Sequence, residues 1–427
     1  MTPAVADRWL ARAADAYGTP CFVYFTEPVE RRIAELDAAF GGRFRLSYAV
    51  KSNPNPAVLG WLRRRVAMLD VSSIGELRLA AAAGWDASRV SFTGPAKRDA
   101  ELREAIEAGV GELVVESVRE ARAADGIAGA MGRRQDILVR IAPAEVPRGF
   151  GDQMAGRPSP FGIDLEDAGD ELPAILSLPN LRVAGFHIYS GTQCLRAEAV
   201  AENWRNFARI FRTLCEAHAL APEKLVFGSG LGIPYHEGDA PLDLSAVAEL
   251  INGDLDALRA EPAFARTALV LELGRFLIGE AGYFVTRIVS TKRSRGARIA
   301  ICDGGMNNHL PASGHFGMVI RRNYAMHKVG GIGPCEEVDL VGPLCTSIDR
   351  LGSAVSLPAL SEGDLLAIHN SGAYGLTASP IHFISHAAPA EVLVEGEKMR
   401  DISRAWGGER PAPAPADEPR LGLAVRY

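Results

Sequence analysis

The stretch RLSYAVK (residues 45–51) is a short apolar run that ends in a lysine, and its pattern recurs along the chain. Seven similar runs follow it: AMLDVSS (67–73), VSFTG (90–94), ELVVES (112–117), DILVRIAP (136–143), VAGFHIYS (183–190), KLVFGSG (224–230) and ALVLELG (268–274). Helix-like stretches such as PAVLGWLRRR and ENWRNFARIFRTLCEAHAL separate them. Buried apolar strands that alternate with amphipathic helices are typical of parallel βα units. Eight such units in a row predict a closed (β/α)8 barrel.

The pattern changes after about residue 280. Segments such as GYFVTRIVSTKRSRGARIAICDGG (282–305) and DLLAIHNSGAYG (364–375) indicate antiparallel strands and turns without helices between them. We therefore predict an α/β protein with a second, β-rich domain of sandwich or barrel type, which the early strand CFVYF (21–25) joins. The predicted division is a barrel over 28–276, a β-rich domain from 1–27 plus 277–410, and a flexible Pro/Ala-rich tail over 411–427.

Composition excludes several classes of protein. With 427 residues, 48% of them hydrophobic and 23% charged, the chain is an ordinary globular protein. The net charge of −6 and the lack of a basic block disfavour a nucleic-acid partner. The N-terminus lacks the apolar core of a signal peptide, and no run reaches membrane length. Six scattered cysteines without CxxC spacing fit a reducing cytoplasm, and we expect no metal site.

Six of the predicted strands end in polar residues at the rim where (β/α)8 barrels carry their chemistry. These residues are Lys51, Asp70, Arg140, His187, Ser190, Gly228-Ser229-Gly230, Glu272, Gly274 and Arg275. A buried strand-end lysine is costly if charged and unpaired, so one interpretation of Lys51 is a salt-bridged core residue. The other is a Schiff-base lysine, whose pKa is lowered by desolvation and neighbouring charge so that the neutral amine attacks an aldehyde.

The other rim residues suit a phosphorylated aromatic cofactor. The glycine-rich turn 228–232 offers backbone N–H groups to a phosphate, and Arg275 adds a guanidinium. His187 alone would more often be a satisfied core histidine, but here its flat ring suits stacking. Glu272 alone would more often pair with an arginine, but at this rim it suits a pyridinium N–H, which it would keep protonated.

At this point the chain resembles the fold-type III pyridoxal-phosphate decarboxylases, which include the diaminopimelate, ornithine and arginine decarboxylases. The motifs that carry the resemblance are YAVKSNPNPAVL (48–59), DVSSIGEL (70–77), FHIYSGTQ (186–193), FGSGLGIPY (227–235), LELGRFLIGEAG (271–282), CDGGMNN (302–308), GPLCTSIDRLG (342–352) and SGAYG (371–375). They span nearly the whole chain in the order that the family has.

The resemblance implies that Lys51 binds pyridoxal 5′-phosphate as a Schiff base, that Glu272 pairs with the pyridine nitrogen and that His187 stacks on the ring. It also implies a homodimer with two shared sites, in which Cys345 crosses the interface and helps to protonate Cα after CO2 leaves the quinonoid formed from the external aldimine. The residues that it places around the phosphate or near the cofactor are Ser190, Gly230, Gly274, Arg275, Tyr374, Asp70 and Arg140.

The departures from the family pattern lie in the expected substrate pocket, to which we assign Thr346, Asp349 and His386. Thr346 stands where the diaminopimelate enzymes carry glutamate and the ornithine enzymes aspartate, so it offers no ion pair to a distal ammonium. Residues 307–312 and 384–391 lack the family's arginines for a distal carboxylate.

These departures favour an α-amino acid with a masked distal carboxylate. Within the family, the chain is similar to the butirosin-pathway enzyme that decarboxylates a glutamyl group tethered to an acyl carrier protein. The alternatives are a decarboxylase of free meso-diaminopimelate, lysine or ornithine, an alanine-racemase-like enzyme, which Glu272 disfavours, and a homologue without catalysis.

Overall fold

The computed structural model describes residues 2–316 and 321–404, which divide into two compact units. The barrel unit comprises Glu27–Ala281 together with Gly372–Thr377, and the remaining described residues form the β-rich unit. The barrel unit therefore extends five residues beyond the predicted end at 276. It also includes the short segment Gly372–Thr377, which the predicted division places in the β-rich domain. The predicted tail, 411–427, lies outside the described residues.

Eight parallel strands form the barrel, and we label them β1–β8 in chain order. Their bounds are β1 Arg45–Ala49, β2 Met68–Val71, β3 Val90–Phe92, β4 Glu112–Val115, β5 Gln135–Ala142, β6 Leu181–Ile188, β7 Lys224–Gly228 and β8 Ala268–Leu273. Each strand pairs in parallel with the next, and β8 pairs with β1 to close the sheet. The eight predicted strands and the barrel are confirmed.

Helices connect the strands and start close to the strand ends. They are Thr26–Phe40, Pro56–Leu62, Ile74–Ala82, Asp99–Ala108, Val118–Ala130, Ala168–Leu176, Ala197–Ala217, Leu244–Ala260 and Arg275–Ile278. Side-chain caps set several starts: the Ser73 hydroxyl accepts the Glu76 N–H, and the Ser117 hydroxyl accepts the Glu120 N–H. Three two-residue strands, Asp152–Gln153, Ile163–Asp164 and Gly191–Thr192, lie in the loops after β5 and β6.

A layer of apolar side chains fills the barrel interior. The layer consists of Met68, Val114, Leu138, Ala184, Val226 and Val270, all buried and contributed by six different strands. Inward-facing residues that meet in layers are what close packing of a (β/α)8 barrel requires. The interior is therefore a packed core rather than a channel, and polar chemistry is confined to the strand ends.

The β-rich unit contains one long helix, Pro3–Tyr17, and nine strands. The strands are Cys21–Phe25, Gly282–Ser294, Ala297–Cys302, Met326–Lys328, Cys335–Val341, Arg350–Pro358, Leu365–Ile368, Ala390–Glu395 and Lys398–Asp401. Cys21–Phe25 pairs antiparallel with Gly282–Ser294, as expected, but parallel with Ala390–Glu395. A long connection permits this parallel pairing, which a hairpin cannot make.

The core of this unit lies between the helix and the sheet, where Trp9 and Leu10 pack against Val23, Val285 and Val392. Within the described residues, no helix is long and apolar enough to cross a bilayer.

Candidate active site

Lys51 lies in the short turn Val50–Ser52 that follows β1. Its Nζ is 3.9 Å from Oδ2 of Asp70, at the end of β2, and 5.7 Å from the ring centroid of Tyr189, just after β6. The Lys51 side chain is 40% exposed, whereas Asp70 is 2% exposed. The amine is therefore open to a small molecule although it stands over a buried carboxyl group.

The pKa of Lys51 is raised, which corrects the expectation that it is lowered. Burial is the largest influence and does lower it, but attraction to Asp70 and Glu272 outweighs burial. In this arrangement Lys51 is a cation between two carboxyl groups. Lys51 therefore loses its proton readily only when the charge of one of these carboxyl groups changes as well.

Asp70 can hold a proton beside that amine. Its Oδ1 accepts a 2.5 Å hydrogen bond from the Thr93 hydroxyl, whereas its buried Oδ2 has no hydrogen-bond partner among the described residues. Burial and the nearby charge of Glu272 raise the Asp70 pKa well above its ordinary value, although Lys51 opposes this. A carboxyl group with a raised pKa next to a cationic amine can exchange a proton with it.

Glu272 is held as a carboxylate at the end of β8. Its Oε2 is 2.9 Å from Nε2 of His187 on β6, and both side chains are buried. Burial raises the pKa of Glu272, but the hydrogen bond and charge of His187, with Lys51 and Arg140, lower it to about 2. Nδ1 of His187 has no hydrogen-bond partner among the described residues. The barrel mouth thus presents one ionised carboxylate and one fixed imidazole.

The turn after β7 requires glycine at specific positions. Gly230 has φ +69°, and a Cβ there would stand 2.3 Å from the ring of Phe150. A Cβ at Gly228 would stand 2.3 Å from the ring of Tyr189. Within the described part of the chain, the N–H groups of Gly230 and Leu231 have no hydrogen-bond acceptor. Two free backbone donors in a glycine turn are suited to binding an anion.

Arg275 lies beside this turn and contacts two tyrosines. Its Nη1 donates to the Tyr235 hydroxyl at 3.0 Å, and its guanidinium lies 5.0 Å from the ring centroid of Tyr374. Tyr374 belongs to the segment that returns to the barrel unit, where its N–H donates to the Ser52 carbonyl at 2.8 Å. Its φ of +58° is unusual for a residue other than glycine, and such conformations concentrate at functional sites.

Two further predicted residues are engaged by neighbours in the barrel. The Ser190 hydroxyl donates to Oδ1 of Asn203 at 2.8 Å, and Arg140 forms a buried ion pair with Glu116 at 3.0 Å. Gly274 allows close packing near Lys51, since a Cβ there would stand 3.2 Å from Cβ of Ser52. The cofactor contacts assigned to these three residues stay predictions.

Sequence reasoning missed Thr93, Glu116 and Phe150. Glu116 accepts the Gly94 and Gly162 N–H groups, both at 2.9 Å, as well as the Arg140 guanidinium. Thr93 and Glu116 end the third and fourth strand runs, so the rule that singled out Lys51 and Asp70 would have found them. Phe150 lies in the aperiodic loop after β5, where no signal in the sequence marks it.

The remaining predicted residues lie in the β-rich unit. Cys345 is exposed, Thr346 is half-buried and His386 is exposed. Asp349 is 3% exposed, and its two oxygens accept the N–H groups of Met306 (2.7 Å) and Leu344 (2.8 Å). The substrate-binding roles assigned to these residues stay predictions, and the contacts of Asp349 serve the backbone of its own unit.

The barrel rim therefore combines an accessible lysine amine, an ionised carboxylate and a glycine turn suited to an anion. These features are suited to an enzyme in which a lysine binds a phosphorylated carbonyl compound. The family model described as "Pyridoxal-dependent decarboxylase, pyridoxal binding domain" matches residues 26–279. The chain belongs to this family and is a pyridoxal-phosphate-dependent carboxy-lyase.

Two curated relatives match almost the whole chain. The L-glutamyl-[BtrI acyl-carrier protein] decarboxylase of Niallia circulans is 32% identical and aligns over 91% of both chains. The diaminopimelate decarboxylase of Zymomonas mobilis is also 32% identical and aligns over 94% of both. Among solved structures, diaminopimelate decarboxylase from Helicobacter pylori complexed with L-lysine has a TM-score of 0.80 at 26% identity, over 92% of this chain and 95% of that chain.

The residues at the rim fit pyridoxal phosphate. The free N–H groups of Gly230 and Leu231 offer donors to a phosphate, and the exposed Lys51 amine is open to an aldehyde. Glu272 is already ionised, as a partner of a protonated ring nitrogen must be.

Proposed function

We propose that this enzyme decarboxylates an amino acid tethered to an acyl carrier protein, an L-glutamyl group or a close analogue. The observation that carries the proposal is the environment of Asp349. It is the only acidic residue of the motif GPLCTSIDRLG (342–352), and both of its oxygens are held by backbone N–H groups. Asp349 is also only 3% exposed, so it is fixed inside its own unit, which disfavours it as a partner for the distal ammonium of a free diamino acid.

Other contacts of the β-rich unit support a substrate without a distal charge. Thr346 contributes no charge at the position that follows Cys345. His309, in the segment where the diaminopimelate enzymes carry an arginine, is fully buried. Its Nε2 lies 2.9 Å from the Ser371 hydroxyl and its Nδ1 accepts the Ala312 N–H, so it serves the fold. A distal carboxylate masked as a thioester needs none of these charges.

Different residues of the barrel unit would bind the cofactor and transfer protons. Lys51 would hold the cofactor through its amine, and Gly230, Leu231 and Arg275 would hold its phosphate. When bound, pyridoxal phosphate supplies an electron-accepting ring for the electron pair left behind by the departing carboxylate. Glu272 keeps a proton on a ring nitrogen beside it, because an ionised carboxylate favours a cationic partner. Asp70 can take the proton that Lys51 gives up.

The second part of the proposal is a homodimer in which Cys345 supplies a proton to Cα in the partner's site. Cys345 is exposed, and the β-rich unit that carries it also exposes large apolar side chains. These are Phe316, Ile348, Phe383 and Ile384, each between 44% and 48% exposed. Exposed apolar side chains on the unit that carries an exposed cysteine are suited to an interface between subunits.

A second candidate is the decarboxylation of free meso-diaminopimelate or another diamino acid. Several relatives at 30–33% identity over more than 90% of this chain are named diaminopimelate decarboxylases. The two candidates make opposite predictions about the free amino acid.

A decarboxylation screen tests both candidates. Free glutamate, meso-diaminopimelate, lysine and ornithine are incubated beside glutamyl- and diamino-acyl carrier proteins, and the loss of CO2 is read by mass spectrometry. We expect turnover of the glutamyl carrier protein and little turnover of the free amino acids. Efficient turnover of free diaminopimelate would support the second candidate instead.

The Lys51→Ala variant is the control for the chemistry itself. We expect it to lose both the visible absorbance of the bound cofactor and the change in product mass. Full activity in this variant would show that Lys51 does not carry the cofactor.

A further inference from the structure

A groove of about 1070 Å³ lies on the barrel unit, outside the set of rim residues described above. One wall is the loop after β5, which contributes Arg148 and Gln153. The other is the helix Ala197–Ala217, which contributes Glu202, Arg205, Asn206 and Arg209. These four positions follow the spacing i, i+3, i+4 and i+7, so they share one face of the helix.

Two guanidinium groups in this groove form no ion pair with any carboxylate of the described residues. Arg205 is occupied, because its Nε donates to Asp254 at 2.6 Å. Arg209 donates to the neutral amide oxygen of Asn206 at 2.6 Å, and Arg148 has no hydrogen bond or ion pair with any described residue. Both side chains are exposed, so they are available to an anion from solution.

The loop that forms the groove is also a wall of the catalytic rim. On its inner side, the ring of Phe150 packs on Gly230. The Met154 N–H donates to the Ser190 carbonyl at 2.8 Å, and Gln153 pairs with Gly191. The groove and the glycine turn are thus separated by a single loop of the same unit. A chain bound in the groove needs only to pass this loop to reach the rim.

We propose that the groove binds the phosphopantetheine arm of the carrier protein, with Arg148 and Arg209 contacting its phosphodiester. This inference rests on the proposed function. The arm combines one phosphodiester with a hydroxyl and two amides, and so needs both cationic donors and neutral or anionic acceptors. Glu145, Glu202, Gln153 and Asn206 provide the acceptors, and the two carboxylates would repel a polyanion such as a nucleic acid.

The size of the groove agrees with this occupant. Pockets for small organic ligands hold roughly 300–1,000 Å³, and this groove, at about 1070 Å³, lies just above that range. An inorganic phosphate alone would leave most of it empty.

The test compares the double variant Arg148→Gln/Arg209→Gln with wild-type holoenzyme. The two substrates are a glutamyl carrier protein and the glutamyl thioester of N-acetylcysteamine, which lacks the phosphodiester. We expect the KM for the carrier substrate to rise about tenfold or more, which is the loss typical of a charge-assisted hydrogen bond. The kcat for the carrier substrate should stay the same. Both kcat and KM for the N-acetylcysteamine thioester should also be unaffected. Arg122→Gln, which alters an exposed arginine of another barrel helix, should behave as wild type.

The outcomes separate the groove from the proposed function. An unchanged KM in the double variant overturns the groove as the binding site, whereas turnover of the carrier substrate upholds the function. If wild-type enzyme turns over no carrier-bound amino acid, the proposed function fails. Calorimetric titration with free 4′-phosphopantetheine then tests the groove by itself. Binding to the wild type that is lost in the double variant supports the groove as the binding site. No binding to the wild type overturns it.

Discussion

The barrel mouth and the β-rich unit both bury polar groups, but the groups at the mouth have different partners from His309 and Asp349 in the β-rich unit. In the barrel mouth the buried groups are ionisable side chains that face one another, as in Glu272 with His187 and Arg140 with Glu116. In the β-rich unit, His309 is uncharged, because burial lowers its pKa to about 3. Asp349 is satisfied by backbone N–H groups.

The contrast separates groups that serve the fold from groups that are available for chemistry. Buried polar groups normally find hydrogen-bond partners, as His309 and Asp349 do. In the barrel mouth, Asp70 Oδ2, His187 Nδ1 and two glycine-turn N–H groups find none among the described residues. Unpaired buried atoms also occur in the β-rich unit, at Asn307 Oδ1 and Asn308 Nδ2 among the described residues, so what marks this site is the convergence of unpaired groups and ionisable side chains at one rim.

The largest expected effect comes from removing the charge of Glu272. Glu272→Gln keeps the size of the side chain and loses its negative charge, so a neighbouring ring nitrogen is no longer held protonated. We expect kcat to fall about 10²–10³-fold, in the range measured for a lost electrostatic contact in an active site. The kcat for the preferred substrate and the absorbance of the bound cofactor measure this effect.

Glu112→Gln is the matched control, because Glu112 is also buried and charged but begins β4 at the opposite end of the barrel. Its carboxylate is 2.5 Å from Nζ of Lys224. We expect a loss of about 1–3 kcal/mol in unfolding free energy and an almost unchanged kcat. An equal loss of kcat in the two variants would contradict the distinction between the two ends of the barrel.

A smaller effect is expected from filling the glycine turn. Gly230→Ala introduces a Cβ against the ring of Phe150 at a left-handed φ, whereas Gly238→Ala has a similar φ of +85° and no neighbour within 4 Å. Both variants share a backbone cost of about 1 kcal/mol, but only Gly230→Ala displaces groups at the rim. We expect its Kd for pyridoxal phosphate to rise on the order of tenfold or more.

Titration of the apo-enzyme with pyridoxal phosphate, followed by absorbance, gives the Kd of each variant. Equal affinities in Gly230→Ala and Gly238→Ala would show that the turn after β7 does not hold the cofactor.

The strands and the rim could be predicted because each of them depends on local sequence. A parallel strand buried on both faces is a continuous apolar run, and its polar end residue marks the rim, as Lys51 and Glu272 do. The pairing of Glu116 with Arg140 joins residues 24 positions apart and depends on how strands lie side by side. The return of Tyr374 to the barrel depends on Gly372, where a Cβ would stand 1.8 Å from the carbonyl oxygen of Ile278.

The smallest expected effect is a dependence of stability on pH that originates in the β-rich unit. An unfolded histidine takes up a proton near pH 6.5, whereas burial keeps folded His309 neutral down to about pH 3. The unfolded state therefore binds more protons between these values, and stability falls as the pH falls through this window. Between pH 8 and pH 5 this amounts to about 2 kcal/mol for His309.

Urea unfolding of His309→Gln and wild-type holoenzyme at pH 8 and pH 5 measures this term. The variant should be less sensitive to pH by about 2 kcal/mol, whatever its stability at pH 8. Burial and the nearby His327 lower the pKa of His369 to about 4. His369 should therefore keep part of the dependence of stability on pH in the variant. The control His382→Gln alters an exposed imidazole and should keep the wild-type difference. If His309→Gln also keeps it, the acid sensitivity has another origin, and the contrast between the ionisable pairs of the barrel mouth and the neutral His309 of the β-rich unit does not hold.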